Sequence, residues 1–215
     1  LRKYLKNMIK LGAHQSIAGG LDKAIERVVK IGGNCLQIFS SSPRGWSFTK
    51  LNEDQINNFI KNAEKLSISP IYFHASYLIN LADDKKIGKL SKQSLIHELN
   101  LAEKLKIKGT IVHLGSYKNF QFSCLAEKQT IFSFQSNPKY KTLINNINDV
   151  LEKTPKETFF IIENAGTRKI GQTLEEIAHI FNDVNSPRLR LCLDTCHLFS
   201  SGYKFVNEKE LDVFL

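Results

Sequence analysis

The chain carries 215 residues, with 30 Lys and Arg against 21 Asp and Glu, a formal charge of +9 and 42% hydrophobic residues. That length fits one domain or two small ones, and the composition excludes a disordered, collagen-like or disulfide-scaffold chain. The longest wholly apolar run is a handful of residues, as in Phe159-Phe160-Ile161-Ile162, well short of the ~20 that a bilayer-spanning helix needs, so a soluble globular protein without a membrane partner is expected.

The chain opens on Leu1-Arg2-Lys3-Tyr4-Leu5-Lys6, basic but without the apolar stretch of a signal peptide. Strand signals, short and rich in β-branched or aromatic residues, then fall at Ile9–His14, Cys35–Phe39, Ile71–His74, Thr110–Leu114, Thr158–Glu163 and Leu189–Asp194. Between them lie helical patterns. The first repeats Leu21, Ala24, Ile25, Val28 and Val29, with Ser16 available upstream as an N-cap. The next use Ile56, Phe59, Ile60 and Ala63, then Leu95, Leu99, Ala102 and Leu105. Leu143, Ile144, Ile147 and Val150 follow, then Leu174, Ile177, Ala178 and Phe181.

Strand then helix, repeated six times, is the signature of a parallel sheet covered by helices. The strands read as continuous apolar runs, as burial on both faces requires. Two architectures compete, an open doubly wound sheet and a closed (β/α)₈ barrel. No G-x-G-x-x-G follows the first strand, which weakens the dinucleotide-binding version. Six units leave a barrel two short. With no initiator Met and a helical-looking end at Glu210–Leu215, the expectation is a single barrel domain over 1–215, incomplete at its C-terminus. One connection, Gly115 to Pro138, far exceeds the ~2–6 residues usual for such loops.

The four cysteines, Cys35, Cys124, Cys192 and Cys196, show no framework spacing, so free thiols in a reducing cytoplasm are expected. Only six of the basic residues are Arg, and Lys, Asn, Ile and Phe are abundant together, as an A·T-rich coding sequence would give. The positive balance permits a nucleic-acid partner without establishing one.

The ionisable residues are placed informatively. His14, His74 and His113 end the first, third and fourth strands, Glu163 ends the fifth and Asp194 the sixth, with His197 three residues on. Ligands on parallel α/β folds gather at the carboxyl ends of strands, and His, Asp and Glu are the ligand set of Zn²⁺ and related metals. A metal site is therefore expected there. Asp194 and His197, a turn apart, could serve neighbouring metals, or Asp194 could cap a helix while His197 is solvated. Cys196, between them, is expected to point into the core. Two loops place other side chains beside this site: Arg44 within Ser41-Ser42-Pro43-Arg44-Gly45-Trp46, and Tyr77 within His74-Ala75-Ser76-Tyr77. Arg inserted into a groove and Tyr stacked on a base are recognition devices for DNA, whereas Trp46 is expected to pack on the sheet rim.

Six motifs in order resemble the endonuclease IV family of abasic-site endonucleases. They are Gly12-Ala13-His14-Gln15-Ser16-Ile17-Ala18-Gly19-Gly20, Pro43-Arg44-Gly45-Trp46, His74-Ala75-Ser76-Tyr77-Leu78-Ile79-Asn80-Leu81, His113-Leu114-Gly115-Ser116, Glu163-Asn164-Ala165-Gly166, and Cys192-Leu193-Asp194-Thr195-Cys196-His197 with the following Leu198-Phe199-Ser200-Ser201-Gly202-Tyr203. The resemblance implies a TIM barrel with three zinc ions, a monomer, and cleavage of duplex DNA on the 5′ side of an abasic site. It implies that His74 and His113 hold one zinc, that catalytic Glu163 bridges it to a second also bound by Asp194, and that His197 belongs to the third. Arg44 and Tyr77 match residues that enter kinked DNA with its abasic nucleotide flipped out.

Departures accompany the resemblance. The family's later ligands, a His, an Asp-x-His pair and a Glu, do not lie within residues 198–215, and Lys204 stands where Asp is common. By that count the first zinc set is complete, the second lacks two ligands and the third keeps His197. Gly115–Pro138, with Tyr117, Phe120, Phe122, Phe132 and Phe134, reads as an insertion that packs as a surface hairpin or stays disordered. A metal-dependent sugar isomerase or epimerase is the alternative enzyme, disfavoured because it has no need of Arg44 and Tyr77. A catalytically inactive metal- or DNA-binding fragment is the non-enzyme alternative.

Overall fold

A computed structural model describes residues 9–117 and 137–214. Most of the insertion, with Phe120, Phe122, Cys124, Phe132 and Phe134, lies outside the described residues, as does the basic start of the chain. Six strands form one parallel sheet in the order β1 to β6: β1 Gly12–His14, β2 Cys35–Phe39, β3 Ile71–His74, β4 Gly109–Val112, β5 Phe159–Glu163 and β6 Leu189–Cys192. A doubly wound sheet reverses its strand order at a switch point, whereas a barrel runs in sequence order. The fold is therefore a set of βα units of a TIM barrel. The helices are α1 Leu21–Lys30, α2 Glu53–Lys65, α3 Lys86–Lys104, α4 Pro138–Glu152, α5 Leu174–Val184, α6 Thr195–Ser200 and α7 Glu208–Phe214. No helix among the described residues is long and apolar enough to cross a membrane.

Helix boundaries follow from capping. Asn52 and Gln55 form a reciprocal capping box at the start of α2, and Asn137 precedes Pro138 at α4. Thr173 caps α5 through the Glu176 amide, and Asn185 ends it in the left-handed conformation. Ser16 does not cap α1. The residue before that helix is Gly20, which has no capping side chain, and the Ser16 hydroxyl instead accepts from the Ala18 amide. The reason is the intervening turn, which spends Ser16 on a local Ser turn well before the helix begins.

Alternation along the strands separates core from site. Outward positions Leu36, Ile38, Phe73, Val112, Phe160 and Ile162 are buried against the helices in two apolar clusters. Truncating a fully buried Phe73 or Phe160 to Ala would cost about 3–5 kcal/mol. The inward positions of β2 and β3, Gln37, Phe39 and His74, line a cavity instead. Those strands alternate rather than run apolar throughout, because the barrel interior near its mouth carries polar groups. Only β4 and β5 show the continuous burial that an apolar run predicts.

Candidate metal centre

Register brings the strand ends level. Phe39 pairs with His74, His74 with Ile111, and Glu163 with Cys192. His113 and Asp194 then sit just past the ends of β4 and β6, so that every candidate ligand reaches one mouth. The loops after β3 and β4 lock together through Asn80, whose amide donates to the Ser116 carbonyl at 3.1 Å. Gly115 makes this closure feasible: its φ is +104°, and a Cβ there would stand 2.5 Å from Asn80 Oδ1.

The mouth holds a cavity of about 420 Å³ lined by His14, His74, His113, Glu163, Asp194 and His197, with Tyr77 at its edge. His74 and Glu163 are each 7% exposed. His74 Nδ1 lies 2.8 Å from the Ala75 carbonyl and so carries a proton, which leaves Nε2 as an acceptor. Nε2 lies 3.0 Å from Glu163 Oε2, itself an acceptor. Two acceptors at that distance require a proton or a cation between them. Burial pulls the His74 pKa down, but the Glu163 hydrogen bond and the Ala75 carbonyl together leave it raised.

His113 Nε2 stands 3.6 Å from the same Glu163 oxygen. Its Nδ1 is buried with no hydrogen-bond partner among the described residues. Burial, with His74 and His197 nearby, lowers the His113 pKa despite Glu163, which favours the neutral imidazole that a metal ligand requires.

Glu163 Oε1 faces the second group. His197 Nδ1 is 3.6 Å from Oε1 and 3.6 Å from Asp194 Oδ2. Asp194 also caps α6, accepting from the His197 amide at 2.8 Å, which fixes its carboxylate at the strand end. His197 Nδ1 is 3.0 Å from the Asn164 carbonyl.

The donors fit a metal. His74, His113 and Glu163 offer ligand atoms within 4.8 Å of one another, and so do Glu163, Asp194 and His197. Tetrahedral ligands at ~2.0–2.1 Å from zinc stand about 3.3 Å apart, the range of the contacts above. Glu163 is common to both groups.

Several placements were not legible in the sequence. Asn164, 1% exposed, clamps Asp194 from both sides, its Oδ1 accepting from the Asp194 amide and its Nδ2 donating to the Asp194 carbonyl at 3.0 Å. Only its place beside Glu163 could have flagged it. His14 lines the cavity but joins neither donor group: Gln37 Nε2 lies 2.8 Å from its Nδ1. Cys196 is exposed, not buried as expected, because the short α6 turns that side outward. Cys192 does line the cavity, and burial with the Glu163 and Asp194 charges pushes its thiol up to about 11, so it stays protonated.

Arg44 and Tyr77 are both exposed, and Tyr77 lines the cavity. The Pro43 carbonyl accepts from Ser76 Oγ at 2.8 Å and from the Tyr77 amide at 3.1 Å, which ties the two loops together. The Tyr77 ring stands 5.9 Å from that of His74. Trp46 packs, partly buried, against the core as expected.

Parallel βα units with imidazoles and carboxylates clustered at the carboxyl ends of their strands have the layout of the TIM-barrel class, whose sites sit at that face. Residues 25–214 match the xylose isomerase-like TIM barrel family. Probable endonuclease 4 of Persephonella marina is 34% identical over 207 residues, covering 94% of this chain and 67% of that protein. Probable endonuclease 4 of Thermosipho melanesiensis is 35% identical over 215 residues, covering 97% and 70%. The crystal structure of endonuclease IV from Thermus thermophilus superposes with a TM-score of 0.75 at 29% identity, covering 94% of this chain and 68% of that one. The chain belongs to the endonuclease IV family and spans about two thirds of the length of these relatives.

Proposed function

We propose that this chain is the larger part of a zinc-dependent DNA-repair endonuclease, one barrel domain acting as a cytoplasmic monomer, that hydrolyses the phosphodiester 5′ to abasic sites in duplex DNA. The observation that carries the reading is Glu163 shared between two donor groups, beside two exposed loops tied together at Pro43. Family membership at 34–35% identity supports it.

Zinc held by these residues would supply an activated water and would neutralise charge on the phosphate and the leaving oxygen. The chain's own residues hold and orient. His74 presents Nε2 inward because Ala75 fixes its other nitrogen, and His113 completes that side. Glu163 belongs to both groups and would be shared by metals held on its two sides. His197 Nδ1 is engaged by the Asn164 carbonyl, so its Nε2 is the nitrogen that would be offered to a third ion, and a second ion would rely on Glu163 and Asp194 in this chain. Arg44 and Tyr77 engage the DNA, Tyr77 offering a ring face and Arg44 a cation. No side-chain nucleophile takes part.

The test is incision of a duplex carrying an abasic analogue by the zinc-supplemented protein, with a sugar phosphate as the competing substrate. A nick 5′ to the lesion and no sugar turnover is expected. Turnover of the sugar with intact DNA would establish the isomerase or epimerase alternative, and zinc and DNA binding without either reaction would establish an inactive fragment.

A further inference from the structure

The connection between β2 and α2, Ser40 to Asn52, carries Arg44 and has no regular structure of its own. A loop of that length without secondary structure is uncommon and usually functional or mobile, so the contacts that hold this one matter. The Pro43 bonds to the β3 loop hold one side. The other side runs over α3.

There, His97 Nε2 lies 2.9 Å from the Thr49 carbonyl, so that nitrogen carries the proton and donates. The imidazole also packs on Phe48, ring centroids 4.9 Å apart. The Thr49 hydroxyl in turn donates to the Ser40 carbonyl, closing the two ends of the loop on each other. The next residue of α3, Glu98, is 3% exposed and faces the Ser40 hydroxyl. Ser94 Oγ stands 3.4 Å from its Oε1, while Oε2 is buried without a hydrogen-bond partner among the described residues. Burial pushes its carboxyl up to about 8 against the pull of the Ser40 and Ser94 hydroxyls. A half-satisfied buried carboxyl costs stability, and Glu98 belongs to neither donor group. Successive helix residues point about 100° apart, so this pair reaches two ends of one loop.

We propose that His97 and Glu98 form a latch on α3 that fixes the Arg44 loop at the mouth, which makes both of them positioning residues for DNA engagement. The proposal rests on the reading of Arg44 as a DNA contact. It separates two tasks on one barrel: strand ends hold metal, and a helix face sets the loop that meets the duplex.

Trp46 is the chain's only tryptophan and lies inside the loop, so its emission and its quenching by acrylamide report the loop's position. The experiment uses the full chain with zinc and compares wild type with His97→Ala, His97→Gln, Glu98→Ala, Glu98→Gln and Arg44→Ala. For each, Trp46 emission, zinc content, thermal midpoint and Kd for a duplex with a tetrahydrofuran lesion are measured. The two latch truncations are expected to red-shift Trp46 and to weaken duplex binding about fivefold, as the loss of one ordering hydrogen bond would, at unchanged zinc content. His97→Gln keeps a donor and Glu98→Gln keeps an acceptor, and both are expected to recover most of both signals. Trp46 emission unchanged in folded His97→Ala and Glu98→Ala would overturn the latch. So would a Trp46 shift at wild-type affinity, which would remove the latch from DNA engagement. Should Glu98→Ala fail to fold, half-buried His97 carries the same test alone. Arg44→Ala is expected to weaken binding with Trp46 unmoved. Wild-type binding by Arg44→Ala, with the latch variants weakened, would sink the Arg44 role and leave the latch acting through another loop residue.

Discussion

The two donor groups share Glu163 but are built to different standards. On the β3–β5 side the strands are interior to the sheet, His74 and Glu163 are buried, and His74 is oriented by the Ala75 carbonyl. On the β6–α6 side, Asp194 and His197 are about one third exposed, and His197 Nδ1 divides itself between the Asn164 carbonyl and two carboxylates. β6 has one paired neighbour among the described residues, and Leu191 and Leu193 beside it are 41% and 38% exposed. Burial and strand pairing on both sides preorganise a ligand. A helix cap at a sheet edge places one less firmly. Metal affinity should therefore be unequal across the mouth.

The sharpest break of that comparison is at the shared residue. Glu163→Gln keeps the shape but loses the charge common to both groups. Zinc should leave both sides, and incision of an abasic duplex should fall by at least roughly 100-fold. Metal analysis alongside a nicking assay checks this, and retention of zinc on either side would show that the groups do not depend on Glu163.

His74→Ala and His197→Ala then test the inequality itself. Losing His74 should reduce zinc affinity by about 10- to 100-fold, the scale seen when a ligand's support is removed. Losing His197 should cost less, as judged by competition with a chelator. Equal losses would erase the distinction between the two sides.

Smaller effects are expected at the loops. Arg44→Ala and Tyr77→Ala should each weaken binding to abasic duplex by ~1–3 kcal/mol at matched salt, with bound zinc unchanged. A zinc loss in either variant would tie the loops to the metal groups and undo their separation.

The smallest effect concerns Glu176, which supports the interior side from behind. Its carboxylate accepts from the Gly171 amide at 2.8 Å and from the Tyr117 hydroxyl at 3.0 Å, bracing the loop that follows Glu163. Burial raises its pKa despite those donors. The folded state thus holds this proton more tightly than the unfolded chain, whose ordinary value is 4.5. Its contribution to stability is full below that pH and is lost as pH rises through the raised folded value. Denaturant midpoints of Glu176→Gln should vary less over that window than those of wild type, and parallel curves would exclude the linkage.

Much of this was legible in the residues. Short apolar runs flanked by helical spacing pointed to six βα units, and the motif order pointed to ligands at the strand ends. Local patterns alone left barrel and doubly wound sheet in competition, because they carry no pairing information; the absent G-x-G-x-x-G and the motif resemblance tipped the expectation to the barrel, and the strand order β1 to β6 bears it out. Strand lengths were overestimated at β1, β4, β5 and β6, since residues flanking a strand can continue its pattern where the ladder does not run. The clamp by Asn164 and the contacts of His97 and Glu98 escaped for another reason. An Asn beside a ligand, or a His-Glu pair on an amphipathic helix, reads as an ordinary surface or cap residue until the fold brings its partner from 30 or more positions away. Cys196 was misplaced because a helix as short as α6 has no period from which a buried side can be read.

Zinc-edge anomalous diffraction from crystals of the chain grown with zinc would locate the ions. Density peaks are expected on both sides of Glu163, about 3.5–4 Å apart, with the higher occupancy beside His74 and His113. A map with no peak at Glu163, or with zinc held only at sites remote from His74, His113 and Asp194, would contradict that placement.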